Sequence, residues 1–310
     1  MIRRFQTLVN LRKRLRWEGN EAGESLIALL KDTSSNGFTK PQDRIYSLLG
    51  LARAEDRLSI TIDYDRSVCE VFSEVVQHHI SKTRNLDIFF DGWSCGGEAT
   101  AARAVEVTTT GVKSSQDRPS DLPTWMPNFL QPFGSKPPWL RFASFTCSGE
   151  STPSFITRSR SLYLNAMVCG KIHACTRLQL VLGEANEANH LFRHPEELRP
   201  RAVSGELKLS WHLQRLSGFE ELLDLPRNDS TCQCFVTTAG LVGLAEFPLQ
   251  PDDIVVLPFG STVPCILRCL KGARFSHPVY ILLGACYVSG IMNGEMMRFH
   301  EITTRSYHIQ

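Results

Sequence analysis

Cysteines are the residues of this chain whose number and placement most readily suggest chemistry. There are ten of them in 310 residues. Five fall in the last third of the sequence, near His277, namely Cys232, Cys234, Cys265, Cys269 and Cys286. Structural zinc takes closely paired cysteines on tight turns. The stretches "CQC" (232–234) and "CILRC" (265–269) instead lie in predicted strands, where a free thiol more often fills a core. We therefore predict that these thiols bind no structural metal.

The segment "CYVSGIMNGEMM" (286–297) combines two glycines with a carboxylate after a strongly apolar run. Gly290 and Gly294 suit backbone positions with positive φ, and Asn293 before Gly294 forms a favoured turn dipeptide. The preceding strand is predicted to end just before Gly290. We predict that the segment is a structural turn, which returns residues 291–292 to the core, and not an active site.

Few other side chains show an acid–base or nucleophilic pattern. Glu295 is expected to accept backbone amides or to pair with Arg298, because no acid or base lies near it in sequence. His78 and His79 lie on a predicted helix without metal-ligand spacing, so we expect His79 near its apolar stripe and His78 pointing away. The glycine-rich "WSCGG" (93–97) lacks the helix and lysine of a phosphate-binding loop. A cysteine–histidine nucleophile pair stays open, since no local signature selects one thiol.

The composition is that of an ordinary globular protein, with 42% hydrophobic and 21% charged residues and a formal net charge of +2. No apolar run reaches about 18 residues, so no membrane span is predicted. Without a secretory signal, the thiols are expected to be reduced in the cytoplasm. The fingerprints of nucleotide-binding loops and of serine nucleophiles are absent from the sequence. We assign no catalytic, cofactor-binding or metal-binding residue and predict a protein that is not an enzyme.

The first 17 residues form a basic stretch with six arginines or lysines and no acidic residue. Their apolar residues roughly follow helical spacing, which favours a surface helix packed on the next segment. A mitochondrial presequence and contact with an anionic membrane stay open as alternatives. No other stretch approaches the basic, aromatic-containing pattern of a nucleic-acid-binding surface, and no nucleic-acid partner is predicted.

Helical patterns dominate the first third of the chain. Residues 67–83 are predicted to form a helix, because Ser67 and Glu70 have the spacing of a capping box and one apolar stripe follows. Residues 43–52 are predicted to form a second helix, with Asp43 as its N-terminal cap and its end near Gly50. The apolar run "LDIFF" (86–90) is predicted to be a buried strand. Trp125, between two prolines, is expected to anchor an extended segment to the core.

The last third of the chain changes to a β-rich pattern. Residues 161–175 are predicted to form a pair of strands, and residues 183–229 a polar, helix-prone insertion. Short β-rich runs follow, separated by Gly, Pro or Asp at near-regular spacing, which is typical of a small antiparallel barrel or sandwich. The sequence therefore predicts the α+β class, with a helical region at 1–135, a linker at 136–160 and a β-rich domain at 161–310.

Several stretches, in the same order, resemble the fungal heterokaryon incompatibility (HET) domain family. They are "KPQDRIYSLLGLA" (40–52), "IDYDRSVCEVFSEVVQHHI" (62–80), "DLPTWMPNF" (121–129), the β-rich residues 234–268 and "YILLGACYVSGIMNGEMM" (280–297). They resemble the family's proline-basic-aspartate-arginine motif, its tyrosine-led helix, its Leu-Pro-x-Trp-x-Pro element, its β-rich tail and its closing motif. Asp252 and Asp253 stand where the family usually has Gly-Asp.

The resemblance implies a role in self/nonself recognition between fungal strains and in programmed cell death, through a protein partner. It also implies that residues 1–135 are the helical end of a Toll-like HET domain, whose usual strand-rich beginning has no counterpart here. The apolar stripe of helix 67–83 would then be exposed, and the isolated chain is expected to associate or aggregate. Some Toll-like folds cleave NAD, so an NAD-consuming or hydrolytic enzyme is the alternative. A gene fragment without independent function is a third.

Overall fold

A computed structural model describes eight ranges of the chain. They are residues 23–34, 36–90, 122–131, 145–158, 160–178, 232–270, 277–298 and 303–310. The predicted basic helix at residues 1–17, the "WSCGG" stretch at 93–97 and the predicted insertion at 183–229 lie outside the described residues.

The described residues contain four α-helices and two short 3₁₀ helices. The α-helices are α1 Leu26–Asp32, α2 Asp43–Tyr46, α3 Ala54–Ser59 and α4 Val68–Thr83, and the 3₁₀ helices are Asp87–Phe89 and Glu295–Arg298. No helix of these ranges is long and apolar enough to cross a membrane.

Helix α4 confirms its prediction from capping and periodicity. The Ser67 hydroxyl accepts the Glu70 amide, and the Glu70 carboxylate accepts the Ser67 amide, which satisfies two amides that a helix start leaves open. Five residues of the apolar stripe are buried and Val68 is partly buried, and Phe72 lies edge-on to Phe129 at 5.0 Å between ring centroids. The expectation that this stripe is exposed is therefore wrong, because other parts of the same chain, Phe129 among them, pack against it.

Two predictions in the helical region are wrong in detail. Helix α2 ends at Tyr46, and the amides of Leu48 and Leu51 bond to carbonyls three residues back as successive turns. Asp43 does not cap this helix, because its carboxylate accepts the Lys40 amide and the Tyr64 hydroxyl.

The run "LDIFF" is buried, but it is a 3₁₀ turn and not a strand. Its backbone does not join a sheet ladder: the Leu86 amide donates to the Gly260 carbonyl at 2.9 Å, and Phe89 and Phe90 bond locally. Tertiary hydrogen bonds thus decide the conformation of an apolar run that periodicity leaves ambiguous.

Nine strands make up the sheet. They are β1 Phe155–Arg158, β2 Ser161–Leu178, β3 Cys232–Thr237, β4 Val242–Ala245, β5 Ile254–Pro258, β6 Cys265–Leu270, β7 Val279–Ala285, β8 Tyr287–Val288 and β9 Thr304–Ile309. The α+β class predicted from the sequence is confirmed.

Strand β2 replaces the predicted strand pair at 161–175. It is one strand of 18 residues, with irregular register between Val168 and Gly170 and again between Ile172 and Ala174. Gly170 has φ of 121°, and a Cβ there would lie 3.1 Å from the Thr237 side chain. The glycine therefore permits a bulge in a continuous strand rather than a hairpin turn.

The strand pairs form a closed circuit. Strand β2 pairs with β5, β5 with β6, β6 with β7, β7 with β9, and β9 with β2. Strands β3, β4 and β8 extend from the second half of β2, and β1 pairs with its first half. The β7–β9 pair is parallel, which departs from the predicted all-antiparallel arrangement.

The helices and the sheet share one hydrophobic cluster. Trp125 lies in this cluster edge-on to Phe89, and its indole N–H donates to the Arg160 carbonyl at 3.1 Å, which confirms its predicted anchoring role. Asp87 makes a second connection, since its carboxylate accepts the backbone amide and the hydroxyl of Thr262 at 2.9 and 2.7 Å. The division at 136–160 and 161–310 stays a prediction.

Candidate functional site

The closing segment at 286–297 has the geometry of a turn. Its strand ends at Val288, and Gly290 and Gly294 have φ of 82° and 81°. Ile291 and Met292 return to the core, with exposed fractions of 2% and 3%. The predicted structural turn is therefore confirmed in its backbone and in its burial.

The turn also binds a distant part of the chain. The Met292 carbonyl accepts the amide of Thr146 and the thiol of Cys147, both at 3.1 Å. Glu295 accepts the Asn293 amide at 2.7 Å, which is the first of its two predicted uses. The predicted pairing with Arg298 does not form.

The cysteine thiols of the core are poor nucleophiles. Burial raises the pKa of Cys169 and of Cys234 to about 12. Burial and the nearby Glu295 carboxylate raise the pKa of Cys147, and burial raises that of Cys265 and of Cys286. Because the thiolate is the nucleophile and the metal ligand, this burial disfavours both roles for these five groups.

The cysteines considered for zinc do not come together with His277. Within the described ranges, no three His, Cys, Asp or Glu side chains form a metal-binding group. Cys234, Cys265 and Cys286 fill the core, and Cys269 is half-buried on β6. The Cys232 side chain lies outside the described part of the structure. The prediction that the protein binds no structural metal stays a prediction.

A buried carboxylate–imidazole pair is the best acid–base candidate in the described chain. The His78 ring nitrogen Nε2 lies 2.8 Å from Asp56 Oδ1, in a hydrogen bond. Asp56 also accepts the Leu26 amide at 2.9 Å, and the Lys82 ammonium lies 3.5 Å away. His78, predicted to point away from the apolar stripe of its helix, is partly buried. The partner 22 residues earlier on α3 gives no local sequence signal.

Neighbouring groups stabilise the ionised form of the Asp56 carboxyl group. Burial raises its pKa, but the hydrogen bonds from Leu26 and His78 and the charge of Lys82 outweigh burial, so the pKa is lowered. The pair lines a cavity of about 110 Å³, to which Ser25 and His79 also contribute. This arrangement can hold a proton between imidazole and carboxylate, but it also fixes the start of α1 to α4.

Part of the chain that includes most of the sheet matches a known protein family. Residues 201–306 match the model of the Het-6 beta-barrel domain. The predicted resemblance to heterokaryon incompatibility proteins is confirmed. The chain is also similar to heterokaryon incompatibility protein 6, OR allele, of Neurospora crassa, at 31% identity over 91 residues. That match covers 29% of this chain and 13% of the relative's length. No solved structure matches the chain.

The segment at 40–52, which resembles the family's proline-basic-aspartate-arginine motif, places a guanidinium inside the fold. Arg44 is 4% exposed and donates to the carbonyls of Leu30, Thr33 and Phe129, at 2.7, 2.6 and 2.8 Å. Two of these carbonyls belong to the end of α1, where a cation is favoured. Arg44 thus joins α1 to the segment that carries Trp125.

The position that resembles the family's Gly-Asp is also structural in this chain. Asp253 is 2% exposed and pairs bidentately with Arg268, with both N–O distances 2.8 Å. Asp252, where the family usually has glycine, has φ of 72°. The backbone therefore keeps the left-handed conformation that favours glycine, although the side chain differs.

Proposed function

We propose that this chain is a non-enzymatic protein of the heterokaryon incompatibility type. It acts in the cytoplasm, in fungal self/nonself recognition and the regulation of programmed cell death, by contact with a protein partner. The observation that carries the proposal is the match of residues 201–306 to the Het-6 beta-barrel domain. The similarity to heterokaryon incompatibility protein 6 of Neurospora crassa supports the same role.

The positions of the recognisable motifs support a role without catalysis. Arg44, Trp125, Asp253 and Met292 each lie in a different motif, and each is buried and bonded to another part of the chain. Buried and bonded residues of this kind specify a fold, which leaves the solvent-exposed surface for recognition. An enzyme family would more often keep its motif residues at a cleft.

A more specific fold can be proposed than the α+β class alone. We propose that β5, β6 and β7, which lie within the matched residues 201–306, belong to the beta-barrel of that domain, and that β9 and the earlier strand β2 close it, since closing a sheet removes its edges. The helices α1–α4 would then be the helical end of a HET-type domain, packed on the barrel through one core.

The role can be tested in Neurospora crassa strains that carry or lack the OR allele. The chain, expressed from an inducible promoter, should arrest growth and admit a vital dye in one of these backgrounds. His78→Gln is the matched variant, because glutamine keeps a donor for Asp56 but cannot act as a base. It should give the same response at equal protein level. No response in either background would contradict the incompatibility role.

A second candidate is an enzyme, favoured by the His78–Asp56 pair beside the Ser25 hydroxyl in one cavity. A carboxylate that orients a histidine is the arrangement of a general base. Purified protein would be incubated with NAD, esters and nucleotides, in wild-type and His78→Gln forms. Turnover that is lost in His78→Gln at unchanged stability would favour the enzyme over the proposal above.

A further inference from the structure

One edge of β1 is open in the described part of the chain. The four residues of this strand, Phe155–Arg158, pair with β2 and with no other described strand. The Asn165 amide donates to the carbonyl of Ser154, which lies opposite it when the β1–β2 register is continued. In an antiparallel pair, every second residue turns its N–H and C=O to the partner strand. The N–H and C=O of Phe155 and of Thr157 therefore point away from β2.

The outward backbone groups of this edge have no partner among the described residues. Neither the N–H nor the C=O of Phe155 and Thr157 bonds to another described residue. Two donors and two acceptors in a row are a template for a further strand. Pro153, which packs on Gly260, has no N–H and ends the open edge on its N-terminal side.

The outer face beside this edge carries an apolar row. Ile156 is 56% exposed, and Tyr163 lies opposite it on β2. Tyr163 is in turn opposite His308 on β9, and the two rings are stacked with 4.7 Å between their centroids. Side chains that face each other across strands stabilise a sheet by contact. The row thus runs from β9 over β2 to β1 and ends at an exposed isoleucine.

We propose that the open edge of β1 pairs with the same edge of a second copy of this chain. The two strands run antiparallel, with a two-fold axis between the two Ile156 residues. Phe155 of each copy then lies opposite Thr157 of the other, which gives four backbone hydrogen bonds. The two Ile156 residues form a non-hydrogen-bonded pair, in which side chains approach closely. The apolar row continues from one copy into the other.

The charges of this edge are compatible with self-pairing. Each Arg158 lies opposite Ser154 of the other copy, and the two Arg158 residues are separated by roughly 14 Å along the strands. Their like charges therefore do not meet. A four-residue edge buries little area, so the contact belongs to the weak, transient class. The inference goes beyond the incompatibility role, because its tests measure only the association of two copies.

Sedimentation velocity of the full chain, from about 1 to 500 μM, tests the dimer. Wild type should pass from monomer to dimer with a dissociation constant on the order of 100 μM. Thr157→Pro removes an outward N–H and leaves the β1–β2 bonds intact, so it should weaken the dimer about tenfold or more. Thr157→Ala keeps that N–H and should dimerise as wild type does. A monomer at every concentration, or an equal dimer in Thr157→Pro, would overturn the proposal.

Side-chain variants test the position of the axis. Ile156→Lys places two charges against each other and should prevent the dimer, whereas Leu58→Lys, at a residue of α3 that is 83% exposed, should not. With oxidised glutathione, Ile156→Cys should form a disulfide between copies, because the Cα atoms of such a pair lie about 4.5 Å apart. Arg158→Cys, roughly 14 Å from its copy, should not. Equal cross-linking of both cysteine variants, or of neither, would overturn the pairing.

Discussion

At the scale of single residues, this protein places charged side chains inside its fold. Arg44 and Arg268 are both buried, but they are compensated differently. Arg268 faces the carboxylate of Asp253, whereas the hydrogen-bond partners of Arg44 are helix-end and loop carbonyls. Removing one partner of such a group leaves the other buried and unpaired, which costs more than the bond itself contributes. These residues therefore specify the fold more than they stabilise it.

Asp252 gives a direct test of backbone strain. Its φ of 72° costs about 1–2 kcal/mol for a residue with a Cβ, of which glycine's extra freedom in the unfolded chain cancels part. Asp252→Gly should raise the free energy of unfolding by about 0.5–1 kcal/mol. The exposed Lys171–Asp252 pair, at 4.0 Å, offsets little of this gain. Urea denaturation midpoints of the variants test this prediction. Asp252→Ala is the control, because alanine keeps the backbone strain and should not raise the free energy of unfolding.

Asp56 predicts a pH dependence of stability. Its pKa is lowered in the folded protein, relative to an unfolded value of about 3.9. Its contribution is therefore fully present above that pH and is lost as the pH falls through the folded pKa. The advantage of wild type over Asp56→Asn in free energy of unfolding should shrink between about pH 5 and pH 2. A difference that stays constant over this range would contradict the lowered pKa.

At the scale of elements, the sequence predicted those parts whose signals are local. Helix α4 follows from a capping box and a stripe within 17 residues, and the closing turn follows from Gly290 and Gly294. The run at 86–90 was mistaken for a strand, because its conformation depends on hydrogen bonds to Gly260 and Thr262, far away in sequence. For the same reason the Asp56–His78 pair had no signal, because it joins residues from two separate helices.

The closing turn supports a comparison between backbone and side chain. Gly294→Val should cost about 1–3 kcal/mol of unfolding free energy, because valine at φ of 81° is strained and its Cβ would lie 3.4 Å from the Thr146 carbonyl. Glu295→Gln should cost less, since the amide oxygen can still accept from Asn293. Gly50→Val, where no atom lies within 4 Å of the added Cβ, is the control.

Denaturant midpoints and the growth response of the expressing strain are measured for both closing-turn variants. The turn is structural if, in both variants, the growth response changes only as far as the loss of stability explains. Loss of the response in Glu295→Gln at full stability, together with a silent Gly294→Val, would instead make this segment a functional site.

At the scale of the whole molecule, the central claim is that motifs from both regions build one core. Trp125 packs on Phe89, and Asp87 bonds Thr262 of the β5–β6 loop. The expected aggregation of the chain rested on an exposed stripe of α4, which is instead covered. Helices and sheet should therefore unfold together, in contrast to a helical remnant attached loosely to a barrel.

Native-state hydrogen exchange tests this claim most directly. Amides in the middle of α4 and of β5 should open with the same free energy, because opening either element exposes the shared core. Asp87→Ala should lower both values equally, by about 2 kcal/mol, since the amide and the hydroxyl of the partly buried Thr262 lose their charged acceptor. Exchange of α4 at a clearly lower free energy than β5, with Asp87→Ala affecting only one of them, would contradict the single core.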